Sequence, residues 1–304
     1  MKTTFYSNGK LLITGEYLVL DGAKAFALPT KFGQNLVVEE GTNKEIKWKS
    51  YDFDHQIWFE DCISFSDIIN NPTAQIETVK TTLITILHET YLLNPDFINQ
   101  AQGYLVTTEL TFPKNWGLGT SSTLLNNIAQ WAKIDAFTLL KNSFGGSGYD
   151  IACAQHNTPI IYRLEQNAPV VEPVIFNPDF TQNLFFVYLN KKQSSKTAIN
   201  AYYNNKNQNL ANSITENNKI TEAALKAKTL TEFAYALEKH ETHLSNILEL
   251  ETIKEIAFPD FNGVVKSLGA WGGDFVLVIS KENPKEYFVS KGYETILTYA
   301  EMIL

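Results

Sequence analysis

Apolar and polar positions change rhythm several times along the chain, and each change marks an element. In the first 40 residues the apolar stretches KLLITGEYLVL and NLVVEE are cut by glycines, which predicts strands joined by tight turns. EIKWKSYDFDHQIWFED reads as a hairpin. From Pro72 to Asn94, Ile76, Val79, Leu83, Ile86 and Leu87 fall at helical spacing and give one stripe for burial. GYLVTTELTF, from Gly103 to Phe112, alternates as a strand does, and GLGTSSTLLNNIAQWAKI passes from a glycine-rich loop into a helix. A short helix through Leu139 and Leu140 and a strand, PIIYRL, complete a mixed α and β first half.

The second half repeats the mixture. LFFVYLN reads as a strand, followed by a polar loop, helices around Ala198 to Tyr203 and Thr231 to Leu250, the stretch VVKSLGAWGGDFVLVIS and a final helix. Polar residues and two prolines interrupt the apolar pattern between Gln166 and Pro173, so the expected division is into domains 1–166 and 167–304. The Asn-rich stretch from Asn200 to Asn218 reads as a solvated helix end and loop without function. No internal repeat is evident.

Length agrees with this division, since 304 residues exceed most single cores, although one large domain is also compatible. With 44% hydrophobic and 19% charged residues the chain should fold. A formal net charge of -8 argues against a broad nucleic-acid or membrane-surface footprint, so an anionic ligand would need locally placed cations. Cys62 and Cys153 are too few for a disulfide framework. Neither a signal-peptide pattern nor a run of 18 or more apolar residues appears, which makes the cytoplasm the expected location.

Four glycine-bearing segments carry the candidate chemistry. PKNWGLGTSSTLL, from Pro113 to Leu125, joins a strand end, two glycines, three hydroxyl residues and a helix start. Unpaired N–H groups at a helix N-terminus suit a phosphate, glycines let it approach, and the hydroxyls of Thr120, Ser121 and Ser122 can add hydrogen bonds or hold magnesium. Read alone, the segment is equally an ordinary strand–loop–helix connection capped by Thr120 or Ser121, and it lacks the Gly-Lys-Ser/Thr ending of a Walker A loop. SNGKLLITGEYLVLDGA, from Ser7 to Ala23, sets Lys10 beside a glycine before an apolar strand; such a lysine is usually solvated, and Glu16 could simply sit at a strand end. GSGYDIACAQ, from Gly146 to Gln155, holds one carboxylate, Asp150, an N-cap candidate behind a small apolar helix with Cys153 packed as a hydrophobe. In SLGAWGGDFVLV, from Ser267 to Val278, three glycines make a tight turn in which Asp274 caps or is solvated. His240 and His243, in KHETH, lack zincin spacing and read as a solvated helix face.

Taken in order, SNGKLLITGEYLVLDGA, PKNWGLGTSS and SLGAWGGD resemble the three motifs of the GHMP kinases, the family of galactokinase, homoserine kinase, mevalonate kinase and phosphomevalonate kinase. Gly15-Glu16-Tyr17, Gly-Tyr-Asp-Ile-Ala and Gly272-Gly273-Asp274 resemble the phosphomevalonate kinases most. The resemblance implies an α+β fold of two domains, an N-terminal one like domain 2 of ribosomal protein S5 and a ferredoxin-like C-terminal one, with the active site between them. It implies ATP and Mg2+ as cofactors and a small anionic metabolite as phosphoryl acceptor, in a chain that binds neither nucleic acid nor membrane and for which a homodimer is allowed.

Roles follow by motif position. Asp150 matches the catalytic aspartate and Lys10 the first-motif lysine; Gly117, Leu118, Gly119, Thr120, Ser121 and Ser122 match the ATP phosphate loop, with Ser121 the magnesium-binding serine. Gly272 and Gly273 match the third motif that shapes the cleft, and Glu16 falls among the substrate-binding positions. NKKQSSKTAIN resembles the substrate loop of mevalonate-pathway kinases, where Lys191, Lys192, Ser194, Ser195 and Lys196 offer donors to a carboxylate or phosphate; a solvated loop explains the same residues equally well. Departures are Asn115 and Trp116 in place of small residues, Thr120, Ser122 and Thr123 in a Ser-Ser-Ala ending, and FTLLKNS where some relatives carry a magnesium-binding glutamate. The expected activity is γ-phosphoryl transfer from ATP, of phosphomevalonate kinase type. The alternatives are mevalonate or another small-alcohol or sugar kinase, diphosphomevalonate decarboxylase, and a non-catalytic nucleotide- or sugar-binding member.

Overall fold

The structure, a computed structural model, describes residues 2–71, 76–192, 195–204 and 209–304; of the side chains in 195–204, those of 195–198 and 201 lie outside the description. Contacts gather the chain into two compact units, and neither is a single stretch. The first holds 1–9, 32–114 and 119–155, and the second 10–31, 115–118 and 156–304. The pattern-based reading uses one cut at 166; the contacts cut the chain repeatedly, because long strands begin in one unit and end in the other.

Two such strands are β1 (Lys2–Thr14) and β2 (Ala25–Glu40), separated by a 3-10 turn at Leu18–Asp21. In the first unit the end of β2 pairs antiparallel with β5, given below, and the expected hairpin is present as β3 (Glu45–Tyr51) and β4 (Ile57–Ser64). Next come α1 (Phe65–Asn70), α2 (Val79–Leu93), α3 (Asp96–Asn99) and β5 (Tyr104–Leu110), the last running parallel to β3. The stripe predicted from Ile76 begins too early: Ile76 and Val79 are exposed, a capping box on Thr78 starts the helix, and Leu83, Ile84, Ile86 and Leu87 are its buried residues. These pack with Trp48, Val106 and the apolar faces of α4 (Thr120–Ala132) and α5 (Ala136–Ser143) in one core that Ile151 of α6 (Tyr149–Gln155) also enters.

Buried amides fix the two helices that carry the second and fourth glycine segments. Asn126 of α4 donates to the Ser7 hydroxyl at 2.8 Å, Ser7 donates to Asn127 at 2.7 Å, and Asn127 donates to the Gln34 carbonyl at 2.9 Å. Gln155 at the end of α6 donates to Asn126 at 3.0 Å. Satisfied chains of this kind define one packing and penalise every other, because a buried amide without a partner is costly.

In the second unit the start of β2 pairs with β6 (Ile160–Glu165), which turns back as β7 (Ala168–Pro173). Where the sequence reading places the domain division, the structure has a two-residue hairpin. Gln166 and Asn167 both take positive φ, 51° and 63°, as such turns require. After β8 (Leu184–Tyr188) come α7 (Ser195–Asn204), α8 (Leu210–Lys226), α9 (Leu230–Leu248) and α10 (Ile253–Ala257). Then β9 (Val264–Leu268) and β10 (Phe275–Ile279) flank the third glycine turn, followed by α11 (Lys285–Ser290), β11 (Ile296–Thr298) and α12 (Tyr299–Met302). The order β11-β8-β10-β9 is antiparallel throughout, over a core that includes Val187, Phe258, Val276, Val278 and Phe288.

Of the Asn-rich stretch read as a solvated helix end and loop, the helix end is present in α7, the part from Leu210 corrects from loop to helix, and residues 205–208 lie outside the description. Its asparagines serve the interior: Asn217 is fully buried and donates to the Lys24 carbonyl at 2.8 Å, and Asn218 accepts the Lys24 N–H at 2.7 Å.

Candidate functional site

Three segments far apart in sequence meet in the second unit. Lys10 lies within β1, not ahead of it; its N–H donates to the Leu118 carbonyl at 3.0 Å, and its Nζ donates to the Gly117 carbonyl at 3.3 Å across 107 positions. Gly117 holds φ 69°, and a Cβ there would lie 1.8 Å from Oδ2 of Asp274, so only glycine lets the loop and that carboxylate touch. Asp274 is half-buried, with its carboxylate against Gly117. Burial, and then the Asp274 charge, push the Tyr188 phenol above its ordinary range. Tyr188 donates to the Asn115 carbonyl at 3.3 Å, and Trp116 sets its ring edge-on to Phe275, so the two unusual residues before the loop belong to an aromatic wall. Gly272 and Gly273 take positive φ in the turn between β9 and β10, which Gly273 closes by donating to the Ala270 carbonyl at 2.7 Å.

In the first unit α4 starts from Gly119, at φ 97°, with no side-chain cap. Its first N–H groups consequently keep the positive end of the helix open to an anion. Thr120 is half-buried and Ser121 exposed, whereas Ser122 is buried and donates its hydroxyl proton to the Gly119 carbonyl at 2.9 Å. Asp150 is not an N-cap: it sits in the first turn of α6, half-buried, accepting the Ile151 N–H at 3.2 Å. Cys153 behind it is fully buried, as a small apolar residue would be.

Glu16 occupies a different environment. Only 3% exposed, it accepts from the fully buried Lys266 ammonium at 2.6 Å and lies 3.5 Å from His240 Nε2. Glu241 takes the N–H and hydroxyl of Ser267, at 3.1 and 2.8 Å, with Lys266 4.0 Å from its other oxygen. Burial raises the Glu16 carboxyl against the opposing pull of Lys266, and raises Glu241 to about 7. Burial and the Lys266 charge hold His240 well below the usual imidazole range. The neutral ring accepts the Gly15 N–H at 2.9 Å through Nε2, so His240 corrects from solvated to interior. Of the acceptor-loop residues, Lys191 and Lys192 are exposed; Ser194 lies outside the described residues, and Ser195 and Lys196 start α7 with side chains outside the description.

No family model and no curated protein sequence matches the chain. Solved structures do. The mevalonate kinase of Methanococcus jannaschii aligns over 97% of this chain and 96% of its own at 19% identity, TM-score 0.69. Streptococcus pneumoniae phosphomevalonate kinase, in complex with phosphomevalonate and AMPPNP, aligns over 97% and 99% at 17% identity, TM-score 0.71. Lactococcus lactis galactokinase, complexed with galactose, aligns over 95% and 88% at 14% identity, TM-score 0.65.

The fold is that of the GHMP kinases. The α+β class expected from the sequence holds, and the likeness of fold to solved GHMP kinases extends over 95–97% of the chain. No helix among the described residues is long and apolar enough to cross a membrane.

Within this GHMP fold the residues present suit a nucleotide. In the second unit Lys10 sets a cation beside the Cβ-free surface at Gly117, and in the first unit the uncapped start of α4 presents N–H groups of the kind that suit an anion. No cluster of three or more His, Cys, Asp or Glu able to hold a metal occurs among the described residues. Of the loop hydroxyls that of Ser121 is exposed, and it is an oxygen of the kind magnesium prefers. Sequence reasoning missed Lys266, Glu241 and Tyr17. The one available signal was a lysine set among apolar neighbours in VVKSL, a position that is buried only with a counter-ion.

Proposed function

We propose that the protein transfers the γ-phosphoryl group of ATP to a small anionic metabolite, as a phosphomevalonate kinase does. One observation carries the reading: Lys10, Gly117 and Asp274, each from a different glycine segment, meet at one point of the second unit. A turn serving only the fold would not need its glycine pressed against a carboxylate while a lysine takes its carbonyl. The glycines, the cation and the uncapped α4 are the parts phosphoryl transfer calls for, since that chemistry is mostly positioning and charge stabilisation.

In this reading Asp150 takes the proton of the acceptor oxygen as that oxygen bonds to the γ-phosphorus and the bond to ADP breaks. Lys10 stabilises the charge that develops on the transferred group, and the N–H groups and hydroxyls of Thr120 and Ser121 hold the phosphates. Magnesium, when bound, neutralises phosphate charge. Lys191 and Lys192, with Ser194 to Lys196, give the anionic acceptor the local cations that a chain of net charge -8 must supply. The Gly272-Gly273-Asp274 ending supports an acceptor of phosphomevalonate type over mevalonate.

The test is ADP formation and carbon dioxide release with mevalonate, phosphomevalonate, diphosphomevalonate, homoserine and galactose offered separately. Preference for phosphomevalonate is expected. Preference for mevalonate or a sugar moves the protein within the family, release of carbon dioxide makes it a decarboxylase, and tight ATP binding without turnover on any acceptor overturns the kinase.

A further inference from the structure

Gly15, Glu16 and Tyr17 are consecutive, and each holds a different part of the second unit: α9 through His240, β9 through Lys266, and the third glycine turn through Trp271. Tyr17 is the costly one. Its φ is 62° and ψ -51°, and the Leu18 N–H donates to the Glu16 carbonyl at 2.7 Å, which makes a γ-turn of positive φ centred on a bulky residue. That turn is rare and strained, and glycine would enter it with less strain. Retaining a tyrosine there calls for a return from the side chain.

Two returns are visible. The Tyr17 hydroxyl accepts the Trp271 N–H at 2.6 Å, inside the turn that leads to Asp274 and so to Gly117. The ring stacks on Tyr202 of α7, 5.9 Å between centroids at 27°, and Tyr202, itself fully buried, donates to Asp21 Oδ2 at 2.6 Å. Leu18, Leu244 and Leu248 close an apolar shell around the pair. We propose that Tyr17 is a positioning residue, a strained clasp whose hydroxyl sets the third glycine turn and whose ring face sets α7.

On the kinase reading above, the hydroxyl governs nucleotide binding through the turn, and the ring governs the acceptor through α7, which continues the Lys191-Lys192 segment. Tyr17→Phe keeps the ring and removes only the acceptor of the Trp271 N–H. Hydrogen exchange on the unliganded full chain should show amides 269–273 exchanging about tenfold faster, with α7 unchanged, as loss of one hydrogen bond predicts. The KM for ATP should rise about five- to tenfold, while kcat and the acceptor KM stay within about twofold. Tyr202→Leu should do the reverse, loosening α7 and raising the acceptor KM alone. Unchanged exchange at 269–273 in Tyr17→Phe, or equal loosening of turn and α7, overturns the clasp. The expected exchange pattern with an unmoved ATP KM overturns its link to the nucleotide. The same pattern in a protein that phosphorylates nothing keeps the clasp and removes the kinase.

Discussion

Glu16 and Asp150 look alike in sequence, each a carboxylate within two residues of a glycine, yet the fold treats them oppositely. Glu16 is almost fully buried, paired with Lys266 and beside His240, in a pocket where burial strains its charge. Asp150 is half-buried at the start of a short helix and is asked to hold little more than the neighbouring N–H. A carboxylate whose oxygens are committed to the interior stabilises structure, and one that stays reachable can exchange a proton with a ligand. The difference therefore assigns roles that residue type cannot: Glu16, placed among the substrate-binding positions by resemblance, is positioned as a strut, and Asp150 is the residue we propose as base.

The sharpest way to break this contrast is Asp150→Asn. Phosphoryl transfer should fall about 10²- to 10⁴-fold with an unchanged melting temperature; near-normal turnover removes Asp150 from the chemistry. The mirror experiment is Lys266→Met, which strands Glu16 in the interior. Urea denaturation should show a loss of about 3–5 kcal/mol, partly recovered by adding Glu16→Gln, and a loss below about 1 kcal/mol would mean that Glu16 is not a strut. Gly117→Ala acts between these extremes. The methyl group must displace the Asp274 carboxylate, so ATP affinity should weaken about tenfold by calorimetry, and Asp274→Gly should restore part of it.

The smallest effect concerns pH. Because burial lifts Glu241 to about 7, its contribution to stability is complete below the ordinary carboxylate value and is lost as pH rises through 7. His240, held below its ordinary value, contributes above about pH 6.5 and loses that contribution as pH falls. Both face Lys266 and Glu16. Glu241→Gln should flatten the fall in stability between about pH 4.5 and 7 by an amount on the order of 1 kcal/mol, and an unaltered slope there would show that another group titrates.

Much of this was legible in the sequence. Alternation announced the β3–β4 hairpin and β5, and glycine spacing announced the three segments that meet at Gly117. What escaped notice did so for physical reasons. Asn217 and Asn218 belong to a residue type that favours turns, so a helix that spends them on the Lys24 backbone looks like loop. Pro169 and Pro173 look like a break in the apolar pattern, yet an outer strand tolerates both, and among the described residues β7 pairs with β6 alone. Glu16 and Lys266 form their pair across 250 positions, a distance over which no periodicity operates.

That separation has a consequence for how the molecule is made. Gly15, Glu16 and Tyr17 leave the ribosome 225, 250 and 254 residues ahead of their partners His240, Lys266 and Trp271. At about 5–20 residues per second, the Glu16 carboxylate and the Tyr17 turn wait on the order of ten seconds to a minute for the groups that neutralise and clasp them. During that interval the nascent chain can build the sheet and helices of its first unit, while the opening strand is only half committed. Assembly of the second unit thus cannot finish until partners 225 to 254 positions further along the chain have emerged.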